Sequence, residues 1–583
     1  MHIAARRSPT FLLSKVLASK SPYIVCQTYV TCGAHKHFTK AAATMNGKDE
    51  RTNSLRVAVI GAGAAGLVTA RELIREGHRT TIFEQGSRLG GVWVYTDKVE
   101  ESHGQPGGEI VAEERVHSSM YAGLRTNLPR EVMSYTDFPF TRSWGDTRRF
   151  CGHAEVEAYL EAFAAAFDLE KHIRFNTSVL RVSHCERGGH PGARFGADSA
   201  RQNGHLDNGN ASRSAPGAAM EGHSMSNLPN GGEVAGENGT IDSEELPWPR
   251  WQVTTVPNEE QGSVSTSGGE VFDAVVVCNG HYSDPRRPEI PGMGEFPGRL
   301  LHSHSYRQNT PFAGMTVVVI GASASGEDIS REIALVADKV YLCARSWQNP
   351  AWAAETAEPF GTRRNIWRRG VPSHLHPDGG VTFEGGGRVD AVDVVMLATG
   401  YRYSFPFLAD ARIGGAEIIT VDDNRVSPLY QHIFPPSAAP TLSFVGLPWK
   451  VVPFAQYELQ AKWIARVLSG RVSLPTQRHM LADISAFYAA LEKQGVPKRH
   501  THLLGDKQWE YNDWLAAACG PDVTPLPQWR PKMYKVAGDT KRACPETYRD
   551  VWPESELVAE AAAEACRLGS PVQIQNLVDI AAA

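Results

Sequence analysis

Short apolar runs that stop at a glycine or an acid punctuate this chain. Leu55–Ile60 is one such run and ends at Gly61; beyond it Leu67–Arg75 carries apolar residues at helical spacing. Thr80–Phe83 is the next run and ends at Glu84. Unbroken hydrophobicity is what a strand buried on both faces requires, so the pattern predicts a strand–turn–helix–strand unit of a parallel sheet. The order recurs from Thr316–Ile320, which ends at Gly321, with a strand near Val340–Cys343 and a closing strand at Val392–Leu397. This repeat, at residues 57 and 317, is the internal duplication of the chain. Between the two units, Val179–Ser183 and Trp251–Val256 predict the strands of a hairpin, and Phe272–Cys278 predicts a further strand. After them, Ser443–Val445 and a helix near Tyr457–Leu468 return the chain to the first unit. The expected fold is α/β, with two Rossmann-like dinucleotide-binding domains, the second inserted into the first.

The boundaries follow from composition. Residues 1–50 form a leader, 51–300 the first part of the first domain, 301–398 the inserted domain, 399–470 the returning part, and 471–583 a C-terminal extension. Within the first part, residues 186–246 hold 12 glycines and few large apolar side chains. Such a stretch cannot bury enough surface to order itself and is expected to be a mobile insert. Residues 1–48 contain seven Lys or Arg and no acid, which suggests an organellar (chloroplast or mitochondrial) transit peptide. The other readings are a disordered leader, or an upstream start ahead of a cytosolic protein beginning at Met45. Without residues 1–48 the net charge of −5 becomes −12, and no basic surface argues for nucleic acid. No stretch reaches the roughly 18 apolar residues needed to span a bilayer. The nine cysteines include no C-x-x-C pair, which weakens a dithiol–disulfide reductase reading.

The glycine turns carry the chemistry. Gly61-Ala62-Gly63-Ala64-Ala65-Gly66 fits G-x-G-x-x-G between a strand and a helix: Gly61 for the turn, Gly63 for approach of a pyrophosphate, Gly66 for helix–strand packing. Glu84, at the end of the next strand, suits ribose hydroxyls. Gly90 and Gly91 would let the backbone lie against a flat ring that Trp93 could cover. Val179, on the hairpin, is counted with the cofactor-binding positions. Gly321-Ala322-Ser323-Ala324-Ser325-Gly326 repeats the spacing, with Ser323 where a pyrophosphate would prefer glycine. Arg345, after the next strand, would grip a 2′-phosphate through two hydrogen bonds, favouring NADPH over NADH. Thr399 and Gly400, in the turn Ala398–Tyr401, would return the backbone to the side of the first dinucleotide turn and are counted with the cofactor-binding positions.

Between the two loops, residues 296–306 fit F-x-G-x-x-x-H-x-x-x-Y through Phe296, Gly298, His302 and Tyr306. His302 and His304 stand two apart, but no third ligand lies at metal spacing, so no metal site is read. His302 is counted with the cofactor-binding set, in service at the crossing between domains. Asn127, in Arg125–Glu131, offers a donor and an acceptor on a short side chain; by itself it reads as a turn residue.

Together these stretches, with DFPF (137–140), CNGHYSDPRRPEIPG (278–292), LATGYRYSFPFL (397–408), PFAQYELQAKW (453–463) and KRHTHLLGDKQWEYNDWL (498–515), resemble the flavin-containing monooxygenase family over roughly residues 55–555. The similarity looks greatest to the plant branch that oxygenates sulfur in methylthioalkyl glucosinolates. The resemblance implies FAD and NADPH as cofactors, a C4a-hydroperoxyflavin as oxidant, and a thioether or amine as the small-molecule substrate besides O2. It also places the family's catalytic asparagine on Asn127. The alternatives are a Baeyer–Villiger monooxygenase, which typically has Trp rather than Tyr306, an indole-pyruvate monooxygenase, or a flavoprotein that only senses or binds.

Overall fold

The computed structural model describes residues 54–99, 116–140, 144–185, 250–258, 269–354 and 356–567. The leader and the glycine-rich insert lie outside the described residues.

Two five-stranded, all-parallel sheets organise the chain. The first runs Leu442–Phe444, Ala274–Val277, Arg56–Ile60, Arg79–Phe83, Ile173–Arg174. The second runs Ile366–Arg369, Lys339–Cys343, Thr316–Ile320, Val394–Leu397, Arg299–His302. Each is covered on both faces, which is why its strands read as unbroken apolar runs. In the first sheet Val57 and Val59 meet Leu67, Leu73 and Leu459, while Ala58 and Ile60 face Trp251, Phe272 and Phe444.

The two units are wired alike. Gly61 N–H donates to Phe83 O at 2.8 Å and Cys278 N–H to Ile60 O at 2.9 Å; Gly321 N–H donates to Cys343 O at 2.9 Å and Ala398 N–H to Ile320 O at 2.8 Å. Helices Ala64–Arg75 and Ala324–Ala334 follow the two turns.

The predicted strand Phe272–Cys278 is two strands. Glu270–Phe272 joins an antiparallel sheet with Trp251–Pro257, and Ala274–Val277 joins the parallel sheet. Asp273 makes the switch: its carboxylate accepts from Arg56 N–H at 2.8 Å and its N–H donates to Arg56 O at 2.8 Å. The hairpin is Thr177–His184 with Trp251–Pro257, closed at the pair His184–Trp251. The C-terminal extension is helical, with Gln477–Lys493, Gln508–Cys519, Trp529–Ala543 and Ser555–Arg567. Among the described residues no helix is long and apolar enough to cross a membrane.

Candidate active site

The two glycine turns open on one cleft of about 3370 Å³. Gly61, Gly63, Ala64 and Ala65 form one wall, with Glu84 behind them. Gly90, Gly91 and Trp93 continue it, and Val179 borders it from the hairpin. Facing them from the second unit are Gly321, Ala322, Ser323, Ala324 and Ser325. Arg345 stands at the end of its strand, and Thr399 and Gly400 sit at the crossing back.

Two glycines in each turn are fixed by sterics. A Cβ on Gly61 (φ +103°) would lie 2.6 Å from Cys278 O, and one on Gly66 only 1.8 Å from Gly61 O. Gly321 (φ +112°) and Gly326 repeat this, at 2.2 Å from Ala398 O and 1.7 Å from Gly321 O. Gly63 differs: its φ of −77° suits any residue, and its Cβ would meet Gly91 Cα at an ordinary 3.4 Å. What its missing side chain leaves open is the approach to a helix N-terminus, where unpaired N–H groups and the helix dipole favour phosphate. The Ser323 hydroxyl caps nothing and is exposed at the second helix start, so it too faces the space a pyrophosphate would take.

Glu84 is buried, and its two oxygens accept from Ala62 N–H at 2.8 Å and Gly86 N–H at 2.7 Å. Burial raises its carboxyl above the usual range, and those two N–H groups work against the rise. Arg345 is exposed and makes no ion pair or hydrogen bond among the described residues. Its fork is therefore available to an anion.

Ala62, Gly66, Gly326 and His302 are not on the cleft wall; Ala62 serves through the N–H that orients Glu84. His302 is 1% exposed, accepts from His304 N–H at 3.0 Å through Nδ1, and donates from Nε2 to Gly400 O at 3.1 Å. Burial pushes its pKa down to about 3, so the ring is neutral. It fixes the carbonyl of a cleft residue rather than touching the cleft. The other fingerprint residues also serve the crossing. Gly298 leaves room for the Phe296 ring, and buried Tyr306 packs on Tyr121 at 5.4 Å. Among the described residues no group of three His, Cys, Asp or Glu could hold a metal ion.

Asn127 lines the same cleft as the two loops and is exposed, its amide free of hydrogen bonds among the described residues. Its flanks are fixed. Thr126 N–H donates to Cys151 O at 2.8 Å, and Arg130 N–H donates to Arg149 O at 2.9 Å. The following Asp137 pairs with Arg71 at 2.6 Å and Arg75 at 2.8 Å, tying this segment to the first helix. A free amide on a rigid loop is a positioned donor and acceptor. Sequence reasoning passed over Tyr282, Tyr457 and Trp449, which also line the cleft. Tyr282 comes from one segment and Trp449 and Tyr457 from another, and neither segment carries a G-x-G-x-x-G turn or a strand-end acid that could have signalled them.

A flavin-binding monooxygenase-like family profile matches residues 54–193, 246–357 and 375–526. Flavin-containing monooxygenase FMO GS-OX-like 4 of Arabidopsis thaliana is 44% identical over 513 residues, covering 87% of this chain and 96% of that one. The structure of S-allyl-L-cysteine S-oxygenase from Allium sativum is 43% identical with a TM-score of 0.71, over 88% of this chain and 99% of that one. Tmm from Pelagibacter sp. strain HTCC7211, 22% identical with a TM-score of 0.61 over 86% of this chain and 94% of that one, shares the fold. By the extent of these matches, the chain belongs to the flavin-binding monooxygenase-like family.

Proposed function

We propose that the chain binds FAD at Gly61–Gly66 and NADPH at Gly321–Gly326, and transfers one oxygen atom of O2 to a soft nucleophile, a thioether sulfur before an amine nitrogen. The observation that carries this reading is the composition of the cleft: both glycine turns line it, and Asn127 presents an unbonded amide to the same space. When bound, the flavin supplies the hydride acceptor and the activation of O2. The chain's residues bind, orient and shelter. Glu84 offers its carboxylate to ribose hydroxyls, Gly63 admits the pyrophosphate, and Arg345 offers two donors to a 2′-phosphate. Asn127 holds the oxygen that is to be transferred through its amide. Sulfur is placed first because a 43% identical relative is named as an S-oxygenase.

The test is Asn127→Leu. NADPH should still bleach the yellow protein without air, because hydride transfer requires only the two rings in register. In air the variant should release H2O2 and little oxygenated thioether. Losing the one hydrogen bond that Asn127 would make to the bound oxygen, about 1–3 kcal/mol, predicts a ten- to hundredfold loss of product per NADPH. Full coupling in this variant would remove Asn127 from the chemistry.

A further inference from the structure

The C-terminal stretch Trp529–Asp550 touches both dinucleotide units at once. Arg530 Nη1 donates to Val132 O at 3.0 Å and Ser134 O at 2.9 Å, just beyond the Asn127 loop. Lys541 Nζ lies 2.9 Å from Glu327, and Arg331 Nε 2.9 Å from Glu546, both on the second unit's helix Ala324–Ala334. Arg549 joins the two sides in one side chain. Its Nε donates to Thr126 O at 2.9 Å, its Nη2 to Arg125 O at 3.4 Å, and its Nη1 to Asp328 at 3.3 Å, with Nη2 also on the other Asp328 oxygen. Arg125 answers through Asp550 at 2.8 Å and Arg549 O at 3.2 Å. The Arg549 and Asp328 side chains are each 18% exposed, and Tyr548 beside them is buried against Phe150.

The residue before Asn127 is therefore held by a guanidinium that also forks onto Asp328, one residue past the first turn of the second dinucleotide helix. A planar group with five donors can satisfy a carboxylate and two carbonyls at fixed angles; an ammonium cannot. Asp328 also needs a partner. An unpaired carboxylate that close to the helix start would repel the phosphates the N-terminus is built to take, and Arg549 offsets its charge.

We propose that Arg549 is a positioning residue: it sets the Asn127 loop against the nicotinamide-nucleotide helix, so that one bond network registers the reacting amide to both cofactors. The effect on catalysis rests on the role given to Asn127 above; the clamp itself does not.

Hydrogen–deuterium exchange on the flavin-loaded protein reads the clamp directly. Arg549→Ala and Arg549→Lys should both speed exchange across residues 121–128 by about tenfold, the loss of bonds to a charged donor. Lysine keeps a cation for Asp328, so exchange across 324–334 should rise in the alanine variant only. Reduction by saturating NADPH without air should be unchanged in both variants, while product per NADPH falls and H2O2 rises. Arg388→Ala, which removes an exposed arginine paired with Asp378 and Asp390, should do none of this. Unchanged exchange at 121–128 overturns the clamp. Faster exchange with coupling equal to Arg388→Ala overturns its link to catalysis. If Asn127→Leu itself stays coupled, the fault lies with the role of Asn127, and exchange alone decides the clamp.

Discussion

Gly63 and Gly91 meet back to back, and this makes Gly63 a clean probe of cofactor binding. Gly61 and Gly66 cannot be replaced without driving a Cβ into a carbonyl oxygen, so their loss would damage the fold itself. Gly63 has a backbone any residue can adopt. Gly63→Leu should therefore keep the circular-dichroism melt of the apoprotein while its side chain fills the phosphate approach. Flavin absorbance per protein after purification should collapse; full flavin content would show that this turn is not the flavin site. Single residues were legible where spacing alone constrains them, as with Glu84 one strand beyond its turn. Arg549 was not legible. It stands 423 residues from Thr126, and no local pattern links an arginine near the C-terminus to a loop near the start.

At the scale of elements, the parallel strands could be read because burial on both faces leaves no polar option; Thr316–Ile320 agrees residue for residue. The helix Pro453–Leu468 starts four residues before its expected place, at a proline suited to the first helical position. Its face is hidden by polar residues that are nonetheless buried. Glu458 pairs with Arg71 at 3.1 Å, and Gln460 accepts from Gly446 N–H at 3.0 Å. Such pairs form only in the folded chain, so periodicity misses them. The hairpin Thr177–His184 with Trp251–Pro257 carries a prediction of its own. Its register closes at His184–Trp251, so the chain leaves and returns at paired positions. Replacing residues 187–248 by a short Gly-Ser turn should raise stability by only about 2 kcal/mol, since each halving of a loop gains only about 0.6 kcal/mol. Thermal melting and flavin content check it; a large loss of either would show that the segment braces the hairpin.

Over the whole molecule, the α/β plan with two dinucleotide units was legible because it repeats. The helical extension was not, since its apolar faces are defined by what they cover. Acid sensitivity also belongs to this scale. His302, His432 and His502 are buried, and burial lowers the pKa of each, to about 3 for His302 and about 4 for His432. His502 Nε2 accepts from Val426 N–H at 3.1 Å, so its Nδ1 donates to His432 Nδ1 at 3.0 Å, and both rings are neutral. A depressed folded pKa means that stability is complete above the unfolded value near 6.5 and is lost as pH falls toward the folded value. His432→Asn, tolerated at that residue's φ of +60°, should shrink the stability lost between pH 6.5 and 4.5 by about 2 kcal/mol. Urea titrations at both pH values measure the difference; equal losses in variant and parent would mean that His432 is not held neutral.

The order of strands in the first sheet also fixes a timetable for synthesis. Ala274–Val277 must wait for Leu442–Phe444 to emerge, and all five strands of the inserted sheet leave the ribosome in that interval. The inserted sheet can thus close while the first one still shows a bare apolar edge. A nascent chain stalled between the two is at its most adhesive, with Val275, Val276 and Val277 lacking a neighbour.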